Sequence, residues 1–168
     1  MLDAALHARA EALVAAYTKA GLRIATAESC TGGLVAGLLT AVPGSSAVLE
    51  RGFVTYSNEA KTEAIGVAAD LVAAHGAVSE PVARAMAVGA LAASRADVAV
   101  AITGIAGPGG GSAGKPVGLV HFGLAAKGRP VVHRERRFGD AGRAEIRRLA
   151  VAEALDLLDE ALPANPGG

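Results

Sequence analysis

Several residues of this chain are of types and spacings that do chemistry. Ser29 closes the apolar run RIATAES (23–29) and stands directly before TGGLVAGLLTAV (31–42). A buried strand that turns at once into a helix exposes the hydroxyl at the turn beside backbone N–H groups that no helical carbonyl satisfies. Such a turn suits oxyanion stabilisation or the holding of an anionic group. It is not the G-x-S-x-G elbow of the α/β hydrolases, because Ala27 and Thr31 occupy the glycine positions. Cys30 is a rival nucleophile, although a free cysteine after a buried strand is more often a small core side chain. Read from the turn alone, Ser29 or Thr31 capping the helix is the simpler account.

A serine nucleophile needs a base. Lys61 is the candidate: the chain has twelve arginines and only four lysines, and a desolvated lysine, unlike arginine, loses its proton near neutral pH. Tyr56, five residues earlier, can relay a proton or orient the amine. The competing account is a solvated lysine on a short helix and a core tyrosine. The four histidines (His7, His75, His121, His133) show no H-x-E, H-x-x-E-H or paired-ligand spacing, and one cysteine builds no zinc motif. Chemistry without a metal or cofactor is the expectation.

The segment 104–118, GIAGPGGGSAGKPVG, invites two nucleotide-binding readings. Gly109, Gly111 and Gly114 spell G-x-G-x-x-G, and Gly109 through Lys115 spells most of a P-loop. Both motifs need a helix to follow, since the phosphate sits on its N-terminal N–H groups. Here Pro116 follows and a strand-like alternation begins, so neither motif stands. What remains is a loop whose backbone can approach a ligand closely, with Ser112 and Lys115 as polar contacts, or else a mobile connection.

These residues are set among recognisable elements. Apolar residues at steps of three and four predict a helix over 3–20 that stops at Gly21, and RIATAES reads as a strand leading into a helix over 31–42. A strand over 47–57, two short helical pieces over 58–75 parted at Ile65-Gly66-Val67, and a helix opened by Ser79-Glu80-Pro81 and running to about Ser94 follow. DVAVAITG (97–104) is a buried strand, 117–126 and 130–138 form a hairpin across Lys127-Gly128-Arg129, and Ile146 through Ala161 mark a final helix. Mixed alternation of this kind predicts an α/β fold, a central mixed sheet with helices on both faces, in one domain over 1–168 with a tail at 163–168.

Composition narrows the function classes. Half of the chain is apolar, chiefly Ala, Val and Leu, and sixteen basic residues balance sixteen acidic ones. No global field recruits nucleic acid or an anionic membrane, so an anionic ligand must be held locally. With no basic face studded with aromatics, no apolar run long enough to span a membrane and no signal peptide, the expectation is a soluble cytoplasmic protein.

The motifs TAESCTGG (26–33), GSSAVLERGFVTYSNEAK (44–61), GAVSEP (76–81), GIAGPGGGS (104–112) and KPVG (115–118) resemble, in order and spacing, the CinA carboxy-terminal-domain family, over residues 10 to 160. That family includes stand-alone nicotinamide mononucleotide amidohydrolases. The resemblance implies a three-layer α/β/α fold and deamidation of nicotinamide mononucleotide to nicotinate mononucleotide and ammonia, in pyridine-nucleotide recycling. It places the nucleophile on Ser29 and the lysine and tyrosine on Lys61 and Tyr56, which reverses the capping account of Ser29. It places substrate contacts on Cys30, Thr31, Gly32, Gly33, Thr103, Gly104, Gly107, Gly109, Gly110, Ser112, Arg143 and Arg147. Relatives commonly read G-D-R near the last helix, whereas here Gly139-Asp140-Ala141-Gly142 precedes Arg143; Arg143 and Arg147 keep a four-residue spacing that puts both on one helix face. Many relatives carry a further N-terminal domain, so the activity is expected to stand alone here. A homodimer is the expected assembly. The alternative is a non-catalytic nucleotide- or partner-binding module related to competence- and damage-inducible proteins.

Overall fold

The structure, a computed structural model, describes residues 2–164. Helix α1 (Ala4–Ala20) opens on Asp3, whose carboxylate accepts from the Leu6 N–H at 2.8 Å, and ends at Gly21 as expected. Strand β1 (Ile24–Glu28), helix α2 (Leu34–Thr40), a 3-10 turn (Ser45–Ala47) and strand β2 (Leu49–Val54) follow. The predicted pieces after β2 are α3 (Asn58–Ile65) and α4 (Ala69–His75), then α5 (Glu80–Ala92) and β3 (Val98–Gly104). The hairpin is β4 (Leu119–Ala126) and β5 (Val132–Arg137), and α6 (Arg143–Glu160) closes the fold. Of the tail, Pro163 and Ala164 are described and 165–168 lie outside the described residues.

Two local expectations need correction. Helix α2 starts at Leu34, not at 31, because Gly32 (φ 57°) and Gly33 (φ 98°) hold left-handed conformations that stretch the turn after Ser29. Ser79 precedes α5 as predicted but does not cap it: its hydroxyl donates to the Gly76 carbonyl at 2.8 Å.

The sheet order is β2-β1-β3-β4-β5, with β2, β1 and β3 parallel and β4 and β5 antiparallel. This is the mixed sheet expected. Its two faces are sorted by side-chain size at the strand period of two. Ile24, Val98, Val100, Ile102, Val120, Phe122 and Leu124 pack with α1, α2 and α6, whereas Ala25, Ala27, Ala99, Ala101 and Ala125 pack with α3, α4 and α5.

The alanine face lets α5 approach the sheet until backbone meets backbone. A Cβ on Gly123 of β4 would lie 2.2 Å from the Ala83 carbonyl oxygen, and one on Gly89 would lie 1.8 Å from that of Ile65, at the end of α3. Gly89→Ala must therefore displace α3, which carries Lys61. Overpacking of this kind costs about 1–3 kcal/mol, so Gly89→Ala is expected to lower the thermal midpoint by several degrees. An unchanged midpoint would contradict the contact.

On the opposite face, α6 is tied to the edge of the sheet. Buried Glu153 accepts from Arg134 Nη1 at 2.8 Å and Arg136 Nε at 2.9 Å, both on β5. This network fastens the middle of α6 to the edge strand β5.

Candidate active site

The carboxyl ends of parallel strands, where adjacent connections diverge, are the usual ligand crevice of an open α/β sheet. Here β1 ends at Glu28 and the next residue is Ser29, whose N–H donates to the Ile102 carbonyl of β3 at 2.9 Å. The end of β2 is drawn alongside, since the Thr55 N–H donates to the Glu28 carbonyl at 2.9 Å. Ser57 then caps α3, its hydroxyl accepting from the Ala60 N–H at 3.0 Å. Lys61 is the fourth residue of that helix, and its side chain runs back under the strand end.

Lys61 Nζ lies 3.1 Å from Ser29 Oγ, 2.8 Å from the Thr55 carbonyl oxygen and 3.4 Å from that of Ser57. Lys61 is 1% exposed and Ser29 9%. Among the described residues no carboxylate forms an ion pair with Lys61, and burial pushes its pKa down from the ordinary lysine value. A neutral amine has two hydrogens and one lone pair. In that form the two carbonyls take the hydrogens, which leaves the lone pair for the Ser29 hydroxyl; in the protonated form all three contacts are donated by Lys61. The arrangement is a serine hydroxyl in direct contact with a desolvated lysine amine.

Ser29, Cys30, Tyr56, Asn58, Lys61, Ala77, Val78, Thr103, Gly104, Ala106 and Arg143 line the cleft above this pair. Among the described residues no histidine lines it. The Cys30 thiol is buried and pushed up to about 12 by that burial, so it carries no thiolate at neutral pH. Tyr56 shares the cleft but stands apart from Lys61: it is 61% exposed, and its hydroxyl accepts from Arg143 Nη2 at 3.1 Å. Lys61 Nζ and Ser29 Oγ are in direct hydrogen-bond contact, with no Tyr56 between them.

The insertion before Arg143 does not remove this residue from the site. Arg143 opens α6, reaches the cleft wall, and is held there by Tyr56 and by the Gly107 carbonyl at 2.8 Å. Arg147, one turn on, goes elsewhere: Nε donates to the Cys30 carbonyl at 3.1 Å and Nη2 to that of Thr31 at 3.3 Å. It holds the turn from behind instead of lining the cleft. Thr31, Gly32 and Gly33 shape the turn without lining the cleft either.

The glycine-rich loop divides. Thr103 and Gly104 form cleft wall, the Thr103 hydroxyl donating to the Ala77 carbonyl at 2.8 Å. Gly107 supplies the carbonyl for Arg143. Gly109, Gly110 and Ser112 are exposed and do not reach the cleft. The Ser112 hydroxyl accepts from the Lys115 N–H, and Lys115 Nζ is spent on the His75 carbonyl at 2.6 Å.

Glu28 has no place in the sequence reading. Fully buried at the end of β1, it accepts from the Val35 N–H at 2.9 Å and the Ala36 N–H at 3.1 Å, the opening donors of α2. Those donors are thereby withdrawn from any substrate. The signal was legible: an acid inside an otherwise apolar strand must find partners when buried, and a helix N-terminus six residues on supplies them. Asn58, Ala77 and Val78, which line the cleft, carry no comparable mark.

Fold and site together define a three-layer α/β/α domain with a buried serine–lysine pair at the ends of its parallel strands. The profile of the CinA C-terminal domain matches residues 6–162, and the chain belongs to that family. It is 54% identical over 159 residues to the nicotinamide-nucleotide amidohydrolase PncC of Escherichia coli, covering 94% of this chain and 95% of that protein. It is 57% identical to a CinA-like protein of Anaeromyxobacter dehalogenans over 89% of this chain but only 36% of the relative. Among solved structures, the competence/damage inducible protein CihA of Agrobacterium tumefaciens superposes with a TM-score of 0.89 at 51% identity, over 95% of each chain.

Proposed function

We propose that this protein is a nicotinamide-nucleotide amidohydrolase that converts nicotinamide mononucleotide and water to nicotinate mononucleotide and ammonia. The observation that carries the reading is the 3.1 Å contact between Ser29 Oγ and a buried Lys61 Nζ with no acidic partner. Ser29 Oγ attacks the carboxamide carbon as its proton passes to Lys61. The Cys30 N–H, on the residue after the nucleophile, is unspent among the described residues and is suited to hold the oxyanion. Lys61 returns the proton to the departing nitrogen, and ammonia leaves. Water then attacks the acyl ester, gives its proton to Lys61, and the ester oxygen recovers a proton as Ser29 is released. The substrate's ring draws electrons from the carbonyl throughout, which eases both attacks.

The same reading puts Arg143 on the 5′-phosphate, since it is the basic side chain in the cleft other than Lys61. Pyridine-nucleotide recycling is the setting this activity implies, and a cytoplasmic homodimer is the form the family resemblance favours.

The test is ammonia release from nicotinamide mononucleotide by the purified, EDTA-treated protein, with equimolar nicotinate mononucleotide as product. Folded protein that binds the nucleotide and releases no ammonia would replace the amidase with the binding-module reading. Arg143→Ala is expected to raise KM for the mononucleotide roughly 10- to 100-fold, the loss of a charge-assisted contact, and to leave turnover of the phosphate-free riboside unchanged. Equal effects on both substrates would take Arg143 off the phosphate.

A further inference from the structure

The five-residue turn between β1 and α2 is held from two sides by charged side chains that never enter the cleft. From the strand side, Glu28 grips α2 through the Val35 and Ala36 N–H groups and takes a third, longer contact from the Thr26 hydroxyl at 3.3 Å. From the helix layer behind, Arg147 grips two successive carbonyls, those of Cys30 and Thr31. Gly32 sits beside the guanidinium, where a Cβ would stand 3.5 Å from Arg147 Nη2, an ordinary contact; its left-handed φ of 57° is what the turn requires of it. The Gly32 N–H in turn donates to the Ser29 carbonyl at 3.0 Å.

Peptide planarity turns these grips into a statement about direction. Within one peptide unit the C=O and the following N–H point opposite ways. Gly32 holds the Ser29 carbonyl back, so the Cys30 N–H points away from that bond. Arg147 holds the Cys30 carbonyl back, so the Thr31 N–H points away from the guanidinium. Neither N–H is spent among the described residues. The carbonyl edge of the turn is thus fastened to the body of the protein, and of the two N–H groups that of Cys30, which lines the cleft, is left available; Thr31 is fully buried behind it.

We infer that Glu28 and Arg147 are positioning residues that preorganise the Ser29 turn as an oxyanion hole, acting through the backbone of Cys30 and Thr31 without touching substrate. The inference rests on the amidohydrolase reading above for its substrate, but it concerns any acyl- or phosphonyl-transfer at Ser29. Preorganised donors are effective because they need no reorganisation when charge develops, and misplacing them forfeits on the order of 10²-fold in rate.

Two variants separate this role from charge and from bulk stability. Arg147→Lys keeps the charge but replaces a planar fork by a single point donor that cannot hold two carbonyls in the guanidinium geometry. Glu28→Gln keeps the shape but turns one acceptor oxygen into an NH2 group facing a backbone N–H. Each is expected to lower kcat for nicotinamide mononucleotide by roughly 10²-fold per folded molecule, with KM within about threefold and the acidic limb of the pH–rate profile unmoved, because Lys61 keeps its surroundings.

A second readout uses no nucleotide: labelling of Ser29 by an alkyl fluorophosphonate. Ser29 Oγ forms a bond to phosphorus, the P–F bond breaks, fluoride leaves, and the serine proton goes to Lys61. The P–O oxygen needs the same N–H donors, so labelling slows in parallel with kcat. A folded Arg147→Lys with kcat and labelling within threefold of the parent overturns the inference, as does a loss confined to KM. Arg147→Lys decides alone if Glu28→Gln does not fold. Should the parent label with fluorophosphonate yet release no ammonia, the amidase reading fails and the labelling rates still decide the inference; a parent that does neither overturns both.

Discussion

Ser29→Ala is expected to reduce ammonia release from nicotinamide mononucleotide by about 10⁴- to 10⁶-fold, the scale seen when a serine nucleophile that works with its base as one unit is removed. The variant keeps Lys61, the cleft and Arg143, so binding should survive while the covalent step is lost. Cys30→Ala is the matched comparison. Its thiol is buried, pushed up to about 12, and packed in the apolar core around α2, so turnover is expected within about threefold of the parent, the change being a modest loss of packing. Hydroxylamine added during turnover should divert product from the parent to the hydroxamate, since a stronger nucleophile than water intercepts an ester at Ser29. Turnover retained in Ser29→Ala and lost in Cys30→Ala would reassign the nucleophile.

How far this site was legible in the sequence depends on which physical rule each residue obeys. The elements came out because their signals are local: the alternation of DVAVAITG, the break at Gly66 that ends α3, the paired apolar runs of the hairpin. The helix after Ser29 was started too early because TGG reads as an N-terminus, and only the left-handed Gly32 and Gly33 show a turn built to lead away from a strand end. Ser29 and Lys61 were nameable from the family's motifs, but their 3.1 Å contact depends on β2 being drawn to β1 through Thr55 and Glu28, which no spacing reveals. The loop shows the opposite failure. Its glycines invite a ligand, yet Gly109, Gly110 and Ser112 face solvent and Lys115 ties the loop to α4. Arg143 and Arg147 share a helix face, as their spacing says, but one turn of helix is enough to send one to the cleft and the other behind the Ser29 turn.

Lys61 yields the second large effect, and its sign can be worked out from burial alone. A protonated Lys61 donates to Ser29 Oγ and cannot accept its hydrogen, so kcat/KM should rise with pH through the Lys61 pKa and level off above it. Burial without an acidic partner lowers that pKa below the ordinary value of 10.5, which moves the limb toward neutrality. Lys61→Met, close in length and unable to take a proton, is expected to lose roughly 10²- to 10⁴-fold in turnover and to lack the limb. The same burial predicts the stability profile. Between the depressed folded value and the ordinary one, the unfolded chain holds a proton that the folded chain does not. Stability therefore increases as pH rises through that window and is lower beneath it. Lys61→Met should remove this dependence and, by deleting a buried amine, resist urea better than the parent near neutral pH. Urea titrations of both proteins at several pH values in that window check this directly. A variant that loses activity and gains stability identifies Lys61 as a base kept at the expense of the fold, whereas equal losses of both would make it a structural lysine.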